Sequence, residues 1–511
     1  MRNLTRMTTV VLLALGLAAC GQESEPDDAA RLQRFYDQEL AFGACAEYAQ
    51  TIGDTQAFAA SPDFRCARLE VPVDYQDPGG RTMKIAVLKA PARGERLGSL
   101  LLNPGGPGGP GMSMAAFGAK SWGQSPVTER FDLIGFDPRG VGASQPAVRC
   151  YTDAEINAGK ATFITASAVG RWTATDSEAL VQRCAERSGG RDVLAHSGTR
   201  DVARDMDVLR AVLGEEKLSY FGQSYGTRLG AVYAEMFPRH VRAMVLDSGI
   251  DPNAGTTARR IDQFTSFQRA FDKMAADCAT RPDCPLGTDP AAFTERFQNI
   301  VRPLFDRPIT LSDGRIMDFA GAWGAVTAGL YDSAAWPVII KGLREIGTGS
   351  GDTLAAISDA FGGRGADGRT PNTADANYAI NCQDEQRHSP EEETELRRRL
   401  YEVAPYMDPG RGPEGARDGC ESWPVEPSLG YPYATGIEGL PTTLTISITG
   451  DPATPYQGSL ALAKALNGAS LTVEGEQHTI AFSGANACVN GYVADYLIDL
   501  KTPPAQARCT A

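Results

Sequence analysis

Gly222-Gln223-Ser224-Tyr225-Gly226 sets a serine between two glycines, after the run Lys217 to Phe221 and before a helical stretch, Thr227 to Phe237. Between a strand and a helix this spacing suits a nucleophile. The turn is tight enough that a Cβ at either flank would strike backbone, and the serine is thrust above the sheet edge. A serine hydroxyl is a weak nucleophile and needs a base, which a carboxylate must orient. There are four histidines. His196, His240 and His388 read most simply as surface or loop residues, whereas His478 closes the loop Glu474 to His478 after the late run Leu471-Thr472-Val473 and is the candidate base. The alternating run Thr445 to Thr449 leads through Gly450 to Asp451, the candidate acid. Acyl transfer also needs donors where the oxyanion develops. One is expected from the Tyr225 N–H. The other is expected from the loop Asn103 to Gly111, where the prolines lack an N–H and Gly105 or Gly106 is the better donor, with Gly106 taken for the mechanism.

These residues need a frame. Ser99 to Leu102 and Phe131 to Phe136 read as buried strands ending in loops, and Thr199 to Leu213 as a helix with Thr199 as N-cap and Gly214 past its end. Lys217 to Phe221 and Ala243 to Leu246 follow as strands around the helix Thr227 to Phe237, which Pro238 stops. Strands separated by helices of this length predict βαβ units and a mostly parallel sheet flanked by helices. From about Asp251 to Ala434 the pattern turns to helices and polar loops, which predicts a largely helical inserted cap. Thr442 to Thr449, Gln457 to Leu466, Ser470 to Val473 and Ala487 to Leu500 restore the strand-helix alternation. The expected division is a core over 45–250, a cap over 251–434 and a returning core segment over 435–511.

Composition bounds the function. The 511 residues are 42% hydrophobic and carry a net charge of −14 without basic runs, so a nucleic-acid partner is not expected. Arg2 and Arg6 precede a ten-residue apolar run, Val10 to Ala19, the anatomy of a secretory signal and too short for a membrane span. Leu17-Ala18-Ala19-Cys20 resembles a lipobox with Cys20 as the lipidated residue, so 1–20 is read as signal and 21–44 as a tether. Membrane attachment through lipid on Cys20 and an extracytoplasmic location follow as expectations. The remaining ten cysteines suit a disulfide framework in an exported chain. Nearest-neighbour couples would be Cys45 with Cys66, Cys150 with Cys184, Cys278 with Cys284, Cys382 with Cys420, and Cys488 with Cys509. With no H-E-x-x-H or ligand-spaced cluster, no metal or other cofactor is expected. Oligomeric state is not legible.

Leu69-Glu70-Val71-Pro72-Val73-Asp74-Tyr75, the loop Asn103 to Gly111, Phe136-Asp137-Pro138-Arg139-Gly140-Val141-Gly142, the serine pentapeptide and Gly450-Asp451-Pro452-Ala453-Thr454-Pro455 together resemble the secreted tripeptidyl aminopeptidases of the prolyl-aminopeptidase-like serine peptidases. The resemblance spans about Cys45 to Cys509. It implies an α/β-hydrolase fold, with Ser224 as nucleophile and Asp451 and His478 as its partners, in the order Ser, Asp, His. Asp137 and Arg139 match a D-x-R-G motif taken as structural support for the oxyanion side, and Gln477 stands where many relatives have glycine. The implied partner is a peptide with a free N-terminus. Its ammonium calls for cap carboxylates, for which Asp384 and Glu385 are the candidates. A carboxylesterase or lipase of the same fold and a non-catalytic binding lipoprotein are the alternatives, since fold and triad do not fix the acyl group.

Overall fold

The computed structural model describes residues 26–161, 172–482 and 486–511. The expected signal, Cys20 and the start of the tether lie outside the described residues.

Eleven strands are described: β1 (Arg65–Pro72), β2 (Thr82–Ala90), β3 (Gly98–Asn103), β4 (Phe131–Asp137), β5 (Leu218–Gln223), β6 (Val241–Asp247), β7 (Ile309–Thr310), β8 (Ile316–Met317), β9 (Leu444–Ile448), β10 (Ala469–Glu474) and β11 (Arg508–Thr510). Nine form one sheet in the order β1-β2-β4-β3-β5-β6-β9-β10-β11, while β7 and β8 pair as a small hairpin in the cap. From β4 to β11 neighbouring strands run parallel, and β1 and β2 add an antiparallel edge. Every residue of β3, β4 and β9 is buried, which is why they read as continuous apolar runs and belong in the covered middle of the sheet.

Each face buries its own core. Met112, Ala115 and Val127 pack with Val489 and Val493 on one face; Val202, Met206 and Leu209 pack with Leu229 and Leu462 on the other. Between β6 and β9 the chain builds the cap from helices that include Thr256–Ala279, Phe293–Val301, Phe319–Gly329, Trp336–Ile346, Asp352–Gly362, Thr373–Asp384 and Pro390–Val403. The cap has its own core around Phe271, Phe297 and Tyr406. All five expected cysteine couples form disulfides, the chemistry of an oxidising compartment. Among the described residues no helix is long and apolar enough to cross a membrane.

Two expectations are corrected. The tether does not extend to residue 44: Pro26–Tyr36 is a helix whose Phe35 is buried with Leu32 and Tyr36 packed beside it, and the Tyr36 hydroxyl donates to Asp207 Oδ2 (3.2 Å). Thr199 is not an N-cap. Gly198 holds that position in an extended conformation and Thr199 is the first helical residue, its free first-turn N–H and its hydroxyl both donating to Asp384.

The D-x-R-G segment is a structural brace. Arg139 donates through Nε and Nη2 to Asp205 (2.8 and 2.7 Å) and through its Nη atoms to the carbonyls of Val73, His196 and Pro72, so its guanidinium is spent on holding these segments together. Asp137 accepts from the Met112 and Ala143 N–H groups (3.0 and 2.8 Å), fixing the helix that follows the glycine-rich loop. Burial pushes its carboxyl up from 3.8 to about 7 despite those bonds. The folded state therefore binds more protons than the unfolded chain between those values. The stability this contributes is complete below about 4 and is lost as the pH rises through about 7. Thermal unfolding should show Tm falling from pH 5 to pH 8, with a shallower fall in Asp137→Asn.

Candidate active site

Ser224 lies where β5 passes into the helix Tyr225–Met236, with φ 55° and ψ −123°. A non-glycine residue in that region stores strain of order 1–3 kcal/mol and persists only where its surroundings over-determine it. They do so here. The Ser224 N–H donates to the Asp247 carbonyl (2.9 Å), and the Thr227 N–H and hydroxyl close on the Ser224 carbonyl (2.8 and 2.6 Å). The flanking glycines are required by close approach: a Cβ on Gly222 would sit 2.5 Å from the Gly226 carbonyl oxygen, and one on Gly226 would sit 2.8 Å from that of Asn103.

The turn after β9 carries Asp451, fully buried, which accepts from the N–H groups of Ala453 and Thr454 and from the Thr454 hydroxyl, each at 2.9 Å. Its two oxygens also lie 2.9 and 3.0 Å from His478 Nδ1. Held this way, Nδ1 carries the proton and Nε2 is left as the basic nitrogen. His478 Nε2 is buried and has no hydrogen-bond partner among the described residues. The cap fixes the other side of the loop: the His478 N–H donates to the Tyr331 carbonyl (2.7 Å), and the Tyr331 ring meets the imidazole edge-on at 5.2 Å and 86°. Gln477 donates to the Thr479 carbonyl (2.9 Å) and leaves His478 in contact with Asp451. The other histidines are engaged elsewhere: His196 beside Asp74 and Asp201, His240 with Asp207, and His388 with Thr257 and Glu393.

Asp247, at the end of β6, is a residue that sequence reading missed. Its Oδ2 accepts from the N–H groups of Ile480 and Ala481 (2.9 Å each) and from Gln223 Nε2 (3.2 Å), while its carbonyl takes the Ser224 N–H. One buried residue thus ties the serine turn to the histidine loop. Burial raises its carboxyl from 3.8 to about 6, against the pull of those donors and of His478. The available signal was its place at the carboxyl end of the strand beside β5, where sites in open parallel sheets gather.

The glycine-rich loop lies against the serine turn. A Cβ on Gly105 would meet the Gln223 carbonyl oxygen at 2.4 Å and Tyr225 N at 3.1 Å. The two candidate donors separate: the Gly105 N–H donates to Asn103 Oδ1 (3.0 Å), whereas the Gly106 N–H has no acceptor among the described residues, and Gly106 borders the cavity with Ser224 and Tyr225. Asn377 Nδ2 from the cap donates to the Pro107 carbonyl (3.1 Å) and holds the loop from above.

Ser224 opens into a cavity of about 920 Å³ between core and cap. Glu385 lines it, but its carboxylate is occupied by Arg228 Nη1 (2.7 Å), Arg259 Nη2 (3.0 Å) and the Thr256 hydroxyl. Burial works to raise that carboxyl; the two guanidinium charges outweigh it and hold it well below the ordinary range. Asp384 is 1% exposed and lies behind the wall, accepting from the Thr199 N–H (2.9 Å) and hydroxyl. Burial raises it to about 6. Asp251 and Asp262 also line the cavity, and neither has a cationic partner among the described residues.

A family model described as the α/β-hydrolase fold matches residues 98–485. Serine protease Hip1 of Mycobacterium tuberculosis is 41% identical over 456 residues, 87% of each chain. Carboxylesterase B of the same species is 41% identical over 477 residues, covering 92% of this chain and 90% of its own. The tripeptidyl aminopeptidase of Streptomyces lividans is 32% identical over 473 residues, covering 87% and 83%. The strand order, the strained serine at its strand-to-helix turn and these matches make the chain a serine hydrolase that belongs to the α/β-hydrolase fold family, in the branch that includes the tripeptidyl aminopeptidases.

Proposed function

We propose that the protein is an extracytoplasmic serine peptidase that releases short peptides, of tripeptide size, from a free N-terminus. His478 Nε2 takes the proton from Ser224 as its oxygen attacks the carbonyl carbon, then returns it to the leaving amine. Asp451 keeps Nδ1 protonated and stabilises the imidazolium. The N–H groups of Tyr225 and Gly106 receive the oxyanion, and water hydrolyses the acyl-enzyme by the same relay in reverse.

The observation that carries the choice of peptide is the pair of cavity carboxylates without a cation. Asp262 is exposed to the cavity, and partial burial and the neighbouring Asp251 raise its carboxyl above the ordinary value. An α-ammonium supplies the missing counter-charge. Asp251 and Asp262 suit this task better than Asp384 and Glu385, whose oxygens are already bonded. Export fits the five disulfides, and lipid on Cys20 would hold the enzyme at a membrane surface.

A chromogenic tripeptide anilide with a free amine should be cleaved, and its N-acetylated twin should not. Asp251→Asn with Asp262→Asn should raise KM for the free peptide about tenfold or more. Equal cleavage of the acetylated twin would overturn the exopeptidase reading. Turnover of short acyl esters with neither peptide cleaved would place the enzyme with the carboxylesterases, as the name of one relative suggests.

A further inference from the structure

We propose that Tyr331 and Phe361 form the subsite for the first residue beyond the cleaved bond, and that this subsite selects a large aromatic side chain. The inference rests on the peptidase reading and adds the substrate class on its leaving side.

The position follows from the chemistry. In acyl transfer the histidine that deprotonates the serine must also protonate the leaving amine, so the leaving residue lies beside that histidine, away from the oxyanion donors. Here the histidine is flanked by an aromatic wall. Tyr331 packs edge-on against His478 at 5.2 Å, and the Phe361 ring lies 4.9 Å from that of Tyr331 at an angle of 58°. Phe361 stands near the end of the helix Asp352–Gly362, borders the same cavity as Ser224 and is 60% exposed. A phenylalanine held open in a catalytic cavity forgoes burial that an apolar ligand would restore. The wall continues through Phe264 and Trp323, also at the cavity, with rings 6.4 Å apart and inclined by 22°.

Elsewhere among the described residues the lining carries no such run of rings: around the oxyanion loop it includes Gly106, Pro107, Asn377 and Asn381, and farther round the carboxylates Asp251 and Asp262 and the ion-paired Arg228 with Glu385. Rings prefer edge-to-face or offset contacts 4.5–7 Å apart, the range in which Tyr331 and Phe361 already meet and in which a third ring can join them.

The test uses two free-amine tetrapeptide amides that differ only in the fourth residue, phenylalanine or glycine, cleaved by the full-length enzyme and by Phe361→Ala and Phe361→Trp. Wild type should favour phenylalanine by about 10- to 100-fold in kcat/KM, the discrimination a hydrophobic pocket provides. Phe361→Ala should bring the ratio to within about threefold, and Phe361→Trp should restore it; because Phe361 is exposed, neither change threatens the fold. Cleavage of both peptides by wild type at similar kcat/KM, or an undiminished ratio in Phe361→Ala, overturns the subsite while leaving the peptidase reading intact. Cleavage of neither peptide overturns both.

Discussion

Ser224→Ala should lower kcat for the free tripeptide anilide by at least about a thousandfold while the protein remains folded, as judged by circular dichroism and an unchanged Tm. The two halves of this expectation have separate causes. The contacts that hold residue 224 are made by its backbone, through the Asp247 carbonyl and the Thr227 side chain and N–H, and alanine keeps them. The hydroxyl alone carries the reaction, and residual turnover would come from binding and the oxyanion donors. His478→Ala should cost a similar factor. The double variant should cost little more than either, because the two act as one unit and their losses do not add. Near-normal activity in Ser224→Ala would remove the nucleophile assignment.

The second large effect is expected at Asp247, which touches no reacting atom. Asp247→Ala removes the acceptor shared by the Ile480 and Ala481 N–H groups and by Gln223, so the histidine loop loses its tie to the serine turn. A displacement of about 1 Å in a reacting group costs on the order of a hundredfold. The loss should fall on kcat, with KM nearly unchanged, because the residue lies behind the serine turn and not on the cavity wall. A purely structural role predicts instead a lower Tm without that kcat-specific loss. Asp247→Asn keeps one oxygen acceptor and should recover part of the rate. The pH profile separates the roles further. Burial pushes the wild-type carboxyl up to about 6, so as the pH falls through that value Asp247 should gain a proton, become a poorer acceptor and lose the charge that favours the imidazolium. That contribution to the acid limb of kcat should be absent in Asp247→Asn.

Much of this architecture was legible because buried parallel strands and tight turns leave local marks. Leu100 to Leu102 and Phe131 to Phe136 announce themselves as apolar runs because both faces of the sheet are covered. The Ser224 turn is readable because only glycine fits at 222 and 226. His478 could be singled out because histidine is scarce and its loop follows a late strand. The antiparallel edge was harder to read. In β1 the charged Arg65 and Glu70 alternate with buried neighbours, and in β2 Lys84 and Lys89 interrupt the run, so neither strand shows the continuous pattern of the sheet centre. The cap carboxylates were harder still. Asp384 ends the helix Thr373–Asp384 and Glu385 is its C-cap. Adjacent positions near a helix end point about 100° apart, and only the packed structure shows that one meets Thr199 behind the wall while the other meets two arginines inside the cavity. Asp247 looks in sequence like an ordinary turn aspartate before Ser248-Gly249. Its place at a strand end hints at the site, but its tie to the histidine loop is visible only once Ile480 and Ala481, more than two hundred positions later, fold back onto it.

The most direct test of the central claim is the mass of the acyl-enzyme. A free-amine tripeptide p-nitrophenyl ester would be mixed with wild-type enzyme and quenched in acid during turnover, and the adduct located by intact mass and peptide mapping. The predicted result is the mass of one tripeptidyl group on the peptide that contains Ser224, absent from Ser224→Ala and from reactions with the N-acetylated ester. An adduct on another residue, turnover with no adduct in wild type and undiminished in Ser224→Ala, or equal loading from the acetylated ester would contradict the account.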